Sequence, residues 1–176
     1  MNTKNKVGQI IKIPENFVGY HVIPPHFSSK FEELEWYNNN PKYTLFDGVL
    51  IGQHNGLENY KIGQRRGIIN LGQKKPLYVI DIDVEENRLL VGEGYEHPGL
   101  FSKVFFFKDN EIVWIDETKK NPNEAVLEKN KIQNRANVFS ADEGFYIEFE
   151  RRVRKSDLQN SLKLLNNNIL IGFINI

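Results

Sequence analysis

The sequence predicts a mostly β protein. Short runs rich in β-branched and aromatic residues recur along the chain, and turn residues such as Asp47-Gly48 and Asn166-Asn167-Asn168 separate them. No helices of about 10–15 residues alternate with these runs, so a doubly wound nucleotide-binding fold is not supported. The 176 residues, 40% of them hydrophobic, suffice for one compact domain or two small ones. A change of composition near Leu100 to Lys103 predicts two domains, residues 1–100 and residues 101–176.

The elements are predicted in chain order from these local signals. Val7 to Ile11 forms a short first strand, Pro24-Pro25 interrupts regular structure, and Ser28 or Ser29 caps one helix from about Lys30 to Tyr37. Five strand pairs then flank turn residues. They are 42–46 with 49–53, 77–83 with 88–91, 104–107 with 111–115, 131–140 with 145–151, and 162–165 with 169–174. The polar stretch 117–130 is predicted to be a surface loop.

Composition excludes several classes of function. The 23 basic and 23 acidic residues give zero net charge, so any nucleic-acid binding must come from local segregation of charge. The absence of cysteine excludes disulfides, thiolate metal sites and thiol catalysis in these residues. The four histidines are scattered, so we expect no metal site and no cofactor. No apolar run approaches the ~20 residues of a membrane helix, which predicts a cytoplasmic protein without membrane contact.

A glycine-rich basic segment is the main candidate site. Residues 61–75 carry five cations and no acid, and Gly63, Gly67 and Gly72 allow backbone N–H groups to approach an anion. Cations in such a loop suit the RNA backbone, because each neutralised phosphate adds affinity through counterion release. The alternative is a solvated turn between strands. The candidate RNA-binding residues here are His54, Lys61, Gln64, Arg65, Arg66, Lys74 and Lys75.

Two further candidates allow more than one interpretation. His54 has no clustered metal ligand and no identified nucleophile, so ordering of its loop by hydrogen bonds is favoured over acid–base chemistry. Arg151, Arg152 and Arg154 form a second basic run at the end of a predicted strand. They are added to the candidate RNA-binding residues, although charge runs are more often solvated faces.

The stretch from Gly52 to Gly67 resembles the G-x-H-x-G-L-x-x-Y-x-I-G-Q-R-x-G signature of bacterial tRNA 2-thiouridylases. The resemblance extends from about Phe31 to the C-terminus, over the central and C-terminal domains of that family. Further matching blocks are Phe31-Glu32-Glu33-Leu34, Phe46-Asp47-Gly48, Pro76-Leu77-Tyr78-Val79, Asn87-Arg88-Leu89-Leu90-Val91-Gly92 and His97-Pro98. It implies a small β-rich central domain with an N-terminal extension and one short helix, followed by a C-terminal β-barrel like a domain of elongation factor Tu.

The resemblance also implies that catalysis and tRNA binding belong to different domains. In that family an N-terminal ATP pyrophosphatase domain and two cysteines thiolate uridine 34 of tRNA, and neither is found here. The chain reads Tyr20-His21-Val22-Ile23-Pro24 near the second cysteine's place, and Leu158-Gln159-Asn160 where the barrel carries Pro-Gly-Gln. We therefore expect no catalytic residue, and a tRNA-binding or accessory protein that contacts the anticodon region. Any thiolation would need a separate ATPase subunit. The alternatives are a protein-interaction module and an unrelated enzyme that uses His54 with Glu58.

Overall fold

A computed structural model describes residues 6–68, 72–158 and 162–174, and it confirms a mostly β fold. The strands are β1 Val7–Ile13, β2 Val49–Asn55, β3 Leu77–Asp83, β4 Arg88–Glu93, β5 Phe101–Lys108, β6 Ile112–Trp114, β7 Glu124–Lys129, β8 Ile132–Ala141, β9 Gly144–Arg154, β10 Leu162–Asn166 and β11 Ile169–Ile174. The α-helix in the described residues is α1, Lys30–Asn39. Short 3-10 helices lie at Val18–His21, Leu45–Asp47, Leu57–Asn59, Pro98–Leu100, Asp109–Glu111 and Lys155–Asp157.

The chain divides into two compact units. The first comprises the residues up to Pro25 together with Pro41–Phe101, and the second comprises His26–Asn40 and the residues from Ser102 onward. The helix α1 lies within the second of these units. The division into domains at 100/101 stays a prediction.

The first unit is built on a four-stranded sheet with the order β2-β1-β4-β3. β1 runs parallel to β4, and the other neighbours are antiparallel. Successive side chains of β1 enter different cores, since Ile10 packs with Val79 and Leu89 while Ile11 packs with Ile80 and Leu90. The sheet is therefore buried on both faces, which fixes the strand ends that carry the candidate loop.

The predicted hairpin of 42–46 with 49–53 is wrong, whereas the hairpin of β3 with β4 is confirmed. Thr44 caps a 3-10 helix instead: its Oγ1 accepts from the Phe46 N–H at 3.3 Å, and the Thr44 N–H donates to Asp47 Oδ2 at 2.6 Å. This local capping box competes with strand formation before Gly48. β2 consequently pairs with the distant β1.

The second unit is an antiparallel sheet of seven strands that curls into a half-barrel, with the order β5-β9-β8-β7-β10-β11-β6. The predicted pairs β8–β9 and β10–β11 are confirmed. The predicted hairpin of 104–107 with 111–115 is wrong, because β5 and β6 form at opposite edges of the sheet. The predicted loop 117–130 contains β7, whose buried Ala125, Val126 and Leu127 place it in the middle of the sheet. Gln159 and Asn160, noted in the sequence, lie outside the described residues.

The helix begins as the sequence predicts. Ser29 Oγ accepts from the Glu32 N–H at 3.2 Å, which satisfies one free donor of the first turn. Within the same unit, the buried carboxylate of Glu148 on β9 pairs with Lys30 at 2.8 Å and with Lys103 at 3.2 Å. Burial alone would raise the pKa of Glu148, but hydrogen bonds from Lys30 and Lys103 lower it overall.

Candidate nucleic-acid interface

The segment after β2 folds against the outer edge of β3. Its entry is Gly56, whose φ of 110° favours glycine. The Gly63 N–H then donates to the Val79 carbonyl at 2.7 Å, and the Val79 N–H donates to the Gln64 carbonyl at 3.0 Å. This reciprocal pair of backbone bonds anchors the basic turn to the edge of a buried sheet.

The side chain of Gln64 lies inside the turn. Its Oε1 accepts from the Lys61 N–H at 3.0 Å, and its Nε2 donates to the Arg66 carbonyl at 2.8 Å. The amide thus joins the backbone on both sides of the turn. Gln64, predicted as an RNA contact, has a positioning role in this geometry, because it fixes the path of the chain that carries the cations.

Five predicted cations surround this turn. The side chains of Lys61, Arg65, Arg66, Lys74 and Lys75 are exposed, and none of them forms an ion pair within the residues that the structure describes. Exposed cations without carboxylate partners remain available to an external anion. The absence of an acid within residues 61–75 was readable from the sequence, and among the described residues folding brings no carboxylate within ion-pair distance of these five charged groups.

Arg65, Lys74 and Lys75 line one open pocket of about 350 Å³. The other described residues in its lining are Ile68, Gln73, Pro76 and Leu77. Lys74 lies nine positions after Arg65 in the sequence, and folding of both segments near the start of β3 brings these side chains to a common concavity. Arg66 and Lys61 are not part of this lining.

Glu93, the last residue of β4, bonds the backbone of the pocket residue Lys75 and was not predicted. Its Oε1 accepts from the Lys75 N–H at 3.0 Å, and its Oε2 lies 3.5 Å from Lys12 Nζ. The Lys75 backbone bond and the Lys12 ammonium hold the pKa of Glu93 below its usual range. Glu93 is 18 residues away from Lys75 in sequence, so local patterns gave no signal for this contact.

His54 is buried and makes a hydrogen bond with each ring nitrogen. The Gly56 N–H donates to Nδ1 at 3.2 Å, and Nε2 lies 3.3 Å from the Asn87 carbonyl, to which it can only donate. With both nitrogens occupied, the ring orders the entry to the basic segment. This geometry opposes the alternative of an enzyme that uses His54 with Glu58, because acid–base catalysis needs a ring nitrogen in reach of substrate.

His97 repeats the arrangement at the other end of the same sheet. The Gly99 N–H donates to Nδ1 at 3.2 Å, and Nε2 lies 3.2 Å from the Ile13 carbonyl. Burial lowers the pKa of His97, because the charged form would be poorly solvated. A sequence signal existed for this pair: His-x-Gly occurs in His54-Asn55-Gly56 and again in His97-Pro98-Gly99.

The second basic run belongs to the second unit. Arg151 and Arg152 are exposed near the end of β9, whereas Arg154 is buried and has interactions of its own. Arg151 lines a shallow pocket of about 230 Å³ together with Arg135 and Glu150. Because Glu150 lies in this lining, the second basic run is a less favourable anion site than the turn at Arg65.

Within residues 6–68, 72–158 and 162–174, no three histidine, aspartate or glutamate side chains gather closely enough to hold a metal ion. Across the same described ranges, no helix has both the length and the apolar character needed to cross a membrane.

Comparisons with known proteins match the region that holds the pocket. A family described as "tRNA methyl transferase PRC-barrel domain" matches residues 42–93. The chain is 30% identical to the tRNA-specific 2-thiouridylase MnmA of Christiangramia forsetii over 154 residues, which is 84% of this chain and 39% of that protein. It is 34% identical to the protein of the same name from Karelsulcia muelleri, over 82% of this chain and 37% of that protein.

A third relative matches a shorter stretch of the chain with higher sequence identity. The protein of the same name from Shouchella clausii is 45% identical over 74 residues, or 42% of this chain and 20% of that protein. The chain therefore spans about two-fifths of the length of the first two relatives. These matches show that the chain is similar over most of its length to part of the tRNA-specific 2-thiouridylases, and they support its assignment to that family.

Proposed function

We propose that this chain binds tRNA and serves as the RNA-holding part of a cytoplasmic tRNA 2-thiolation system. The observation that carries the proposal is the group of exposed cations around the turn at Arg65, which lack carboxylate partners among the described residues. The names of the relatives, tRNA-specific 2-thiouridylases, supply the class of RNA.

Phosphate is the ligand that this group of cations suits best. Arginine presents a planar fork that bonds two phosphate oxygens, and lysine contributes a point charge. The turn is anchored to β3, so binding does not require the backbone between Lys61 and Gln64 to become ordered first. The net charge of the chain is zero, and affinity therefore depends on this local cluster.

The chemistry of thiolation is proposed to come from outside these residues. The 176 residues contain no cysteine, so no thiol of this sequence can carry sulfur to the RNA. A separate thiolation ATPase would activate the uridine and deliver sulfur, while this chain holds the region near the anticodon. Purified protein incubated with ATP, a persulfide donor and unmodified tRNA should leave uridine 34 unchanged, and 2-thiouridine in that reaction would refute this part of the proposal.

The binding itself is tested with labelled tRNA by fluorescence anisotropy at low ionic strength. We expect saturable binding that weakens steeply as salt is added, because bound phosphates release condensed counterions. Wild-type protein that stays folded but binds no tRNA at low salt would refute the proposal.

A protein-interaction module is the second candidate, and one observation favours it. Phe46 is 93% exposed, and Val49 and Leu50 are also exposed on β2, a strand with one neighbour among the described residues. An apolar sheet edge of this kind can accept a strand from a partner. Failure of tRNA binding together with capture of a thiolation ATPase subunit, lost in Phe46→Ser, would favour this candidate.

A further inference from the structure

We propose that the pocket lined by Arg65, Lys74 and Lys75 holds one unpaired nucleotide of the RNA, with its phosphate on the cations. This inference rests on the proposed tRNA binding and specifies the part of the RNA that the site selects. The pocket, at about 350 Å³, lies at the lower end of the volumes that hold small ligands. Contact with the RNA backbone alone would need only cations on a flat surface, so the concavity indicates that more of the nucleotide than its phosphate is bound.

The three cations in the lining suit a single phosphate. Arg65 approaches from the turn after β2, while Lys74 and Lys75 approach from the segment that enters β3. No acidic side chain is found in the described part of the lining. Cations from two separate segments can therefore contact one phosphate from different directions, which a single run of basic residues would not achieve.

The position of Lys75 is set by the protein. Glu93 accepts its backbone N–H at 3.0 Å, and the side chain passes over Gly94, where an added Cβ would lie 3.2 Å from Lys75 Cδ. The second oxygen of Glu93 pairs with Lys12, which offsets part of the negative charge of this carboxylate. Lys75 therefore reaches the pocket from a fixed backbone, and little ordering is needed when a ligand binds.

Part of the lining is apolar, and this part indicates which kind of phosphate-bearing ligand the pocket selects. Ile68, Pro76 and Leu77 supply a hydrocarbon surface that a phosphate alone would not use. A ribose with its base can pack on such a surface. In a duplex the bases are stacked inside the helix, whereas a loop or bulge lets a nucleotide turn outward. The combination of cations and an apolar wall therefore selects an unpaired nucleotide.

The test uses adenosine monophosphate, adenosine and inorganic phosphate as probes, followed by backbone amide chemical shifts of the folded protein. We expect adenosine monophosphate to shift amides around Arg65 and Lys75, and to bind about tenfold more tightly than phosphate or adenosine alone, since it contacts both the cations and the apolar residues of the lining. Equal affinity for phosphate and adenosine monophosphate would overturn the inference and leave a simple anion site.

Two neighbouring arginines provide a matched pair of variants. Arg65 lines the pocket, whereas Arg66 is also exposed, carries the same charge and is not part of the lining. Arg65→Ala should weaken adenosine monophosphate binding about tenfold, and Arg66→Ala should change it less than about twofold. Equal effects of the two substitutions would also overturn the inference.

A last comparison separates this inference from the proposed function. A single-stranded oligonucleotide should bind more tightly than a blunt duplex of the same length and charge, and Lys74→Ala should reduce the difference. If tRNA binds but strand and duplex bind equally, the nucleotide pocket is refuted and phosphate binding stands. If neither tRNA nor any oligonucleotide binds at low salt, the proposed RNA binding is itself refuted, and the nucleotide pocket with it.

Discussion

Gly8 on β1 lies directly against the buried ring of His54 on β2. A Cβ built on Gly8 would lie 2.4 Å from His54 Nε2 and 2.2 Å from the Asn87 carbonyl oxygen, which are the two atoms of one hydrogen bond. Gly92 stands in the same relationship to His97, with an added Cβ 2.5 Å from the ring. The absence of a side chain at each glycine is what lets the ring reach a backbone carbonyl.

Gly8→Ala should lower the free energy of unfolding by about 1–3 kcal/mol, the usual cost of an overpacked site. The φ of Gly8 is not in the positive range, so the loss would come from packing. Urea unfolding measures it. Val7→Ala at the neighbouring exposed position should change stability by less than about 0.5 kcal/mol. Unchanged stability of Gly8→Ala would show that the ring is not held in this place.

The second prediction concerns pH. Burial lowers the pKa of His97 below its ordinary value of 6.5, so the folded state favours the neutral ring. The stability that this provides is present above pH 6.5 and is lost as the pH falls through the lowered pKa. Wild-type protein should therefore become less stable to urea on acidification from pH 7.5 to 5.5.

His97→Gln should reduce that pH dependence and should cost about 1–3 kcal/mol at pH 7.5, because buried partners of the ring lose hydrogen bonds. The control is His21→Gln, since His21 is exposed and its replacement should leave the profile unchanged. A wild-type profile that is flat between pH 5.5 and 7.5 would contradict the assignment.

The third prediction concerns Glu148, whose buried carboxylate bonds Lys30 and Lys103. Glu148→Gln should cost about 1–3 kcal/mol, because two ammonium groups lose a charged acceptor. The matched control is Glu128→Gln, whose exposed pair with Lys163 should contribute less than about 1 kcal/mol. Since the pKa of Glu148 is lowered, its contribution is present above the ordinary value of 4.5 and is lost as the pH falls through the folded pKa. Equal costs for the two substitutions would contradict the prediction.

The fourth prediction concerns salt. Removing Arg65 and Arg66 together should remove about two phosphate contacts and flatten the log–log salt slope of tRNA binding by about 1.4–1.8. Thermal stability should change by less than about 0.5 kcal/mol, because both side chains are exposed. Arg65→Lys with Arg66→Lys keeps the charge and should keep the slope. Lys42→Ala, which removes an exposed cation before β2, should also leave the slope unchanged. A large fall in melting temperature would mean that the arginines are structural.

The fifth prediction separates position from charge. Gln64→Ala removes the bonds to the Lys61 N–H and the Arg66 carbonyl but removes no cation. We expect tRNA affinity to fall about three- to tenfold at fixed salt, because the turn must be ordered on binding. The salt slope should stay within experimental error of wild type, since the number of phosphate contacts is unchanged. A flattened slope would instead indicate that Gln64 places a phosphate contact directly.

Much of the secondary structure could be predicted because its signals act over a few residues. Asn167 and Asn168 adopt positive φ between β10 and β11, as the asparagine triplet predicts for a hairpin turn. Ser29 caps α1 through its own side chain. The prediction of a surface loop at residues 117–130 was wrong because it also relied on local signals. The buried apolar triplet of β7 is too short to be recognised between polar neighbours.

The sequence by itself determined the β-rich composition, the positive segment at 61–75 and the family signature from Gly52 to Gly67, because each is a property of adjacent residues. Tertiary structure decided which strands are neighbours. β5 and β6 are close in sequence yet lie at opposite edges, because burial of a seven-stranded sheet outweighs the local turn. It also decided that Arg65 and Lys74 share a pocket and that Glu93 fixes Lys75, since these contacts join residues that are not neighbours in a local sequence pattern and meet only when the chain packs around β3 and β4.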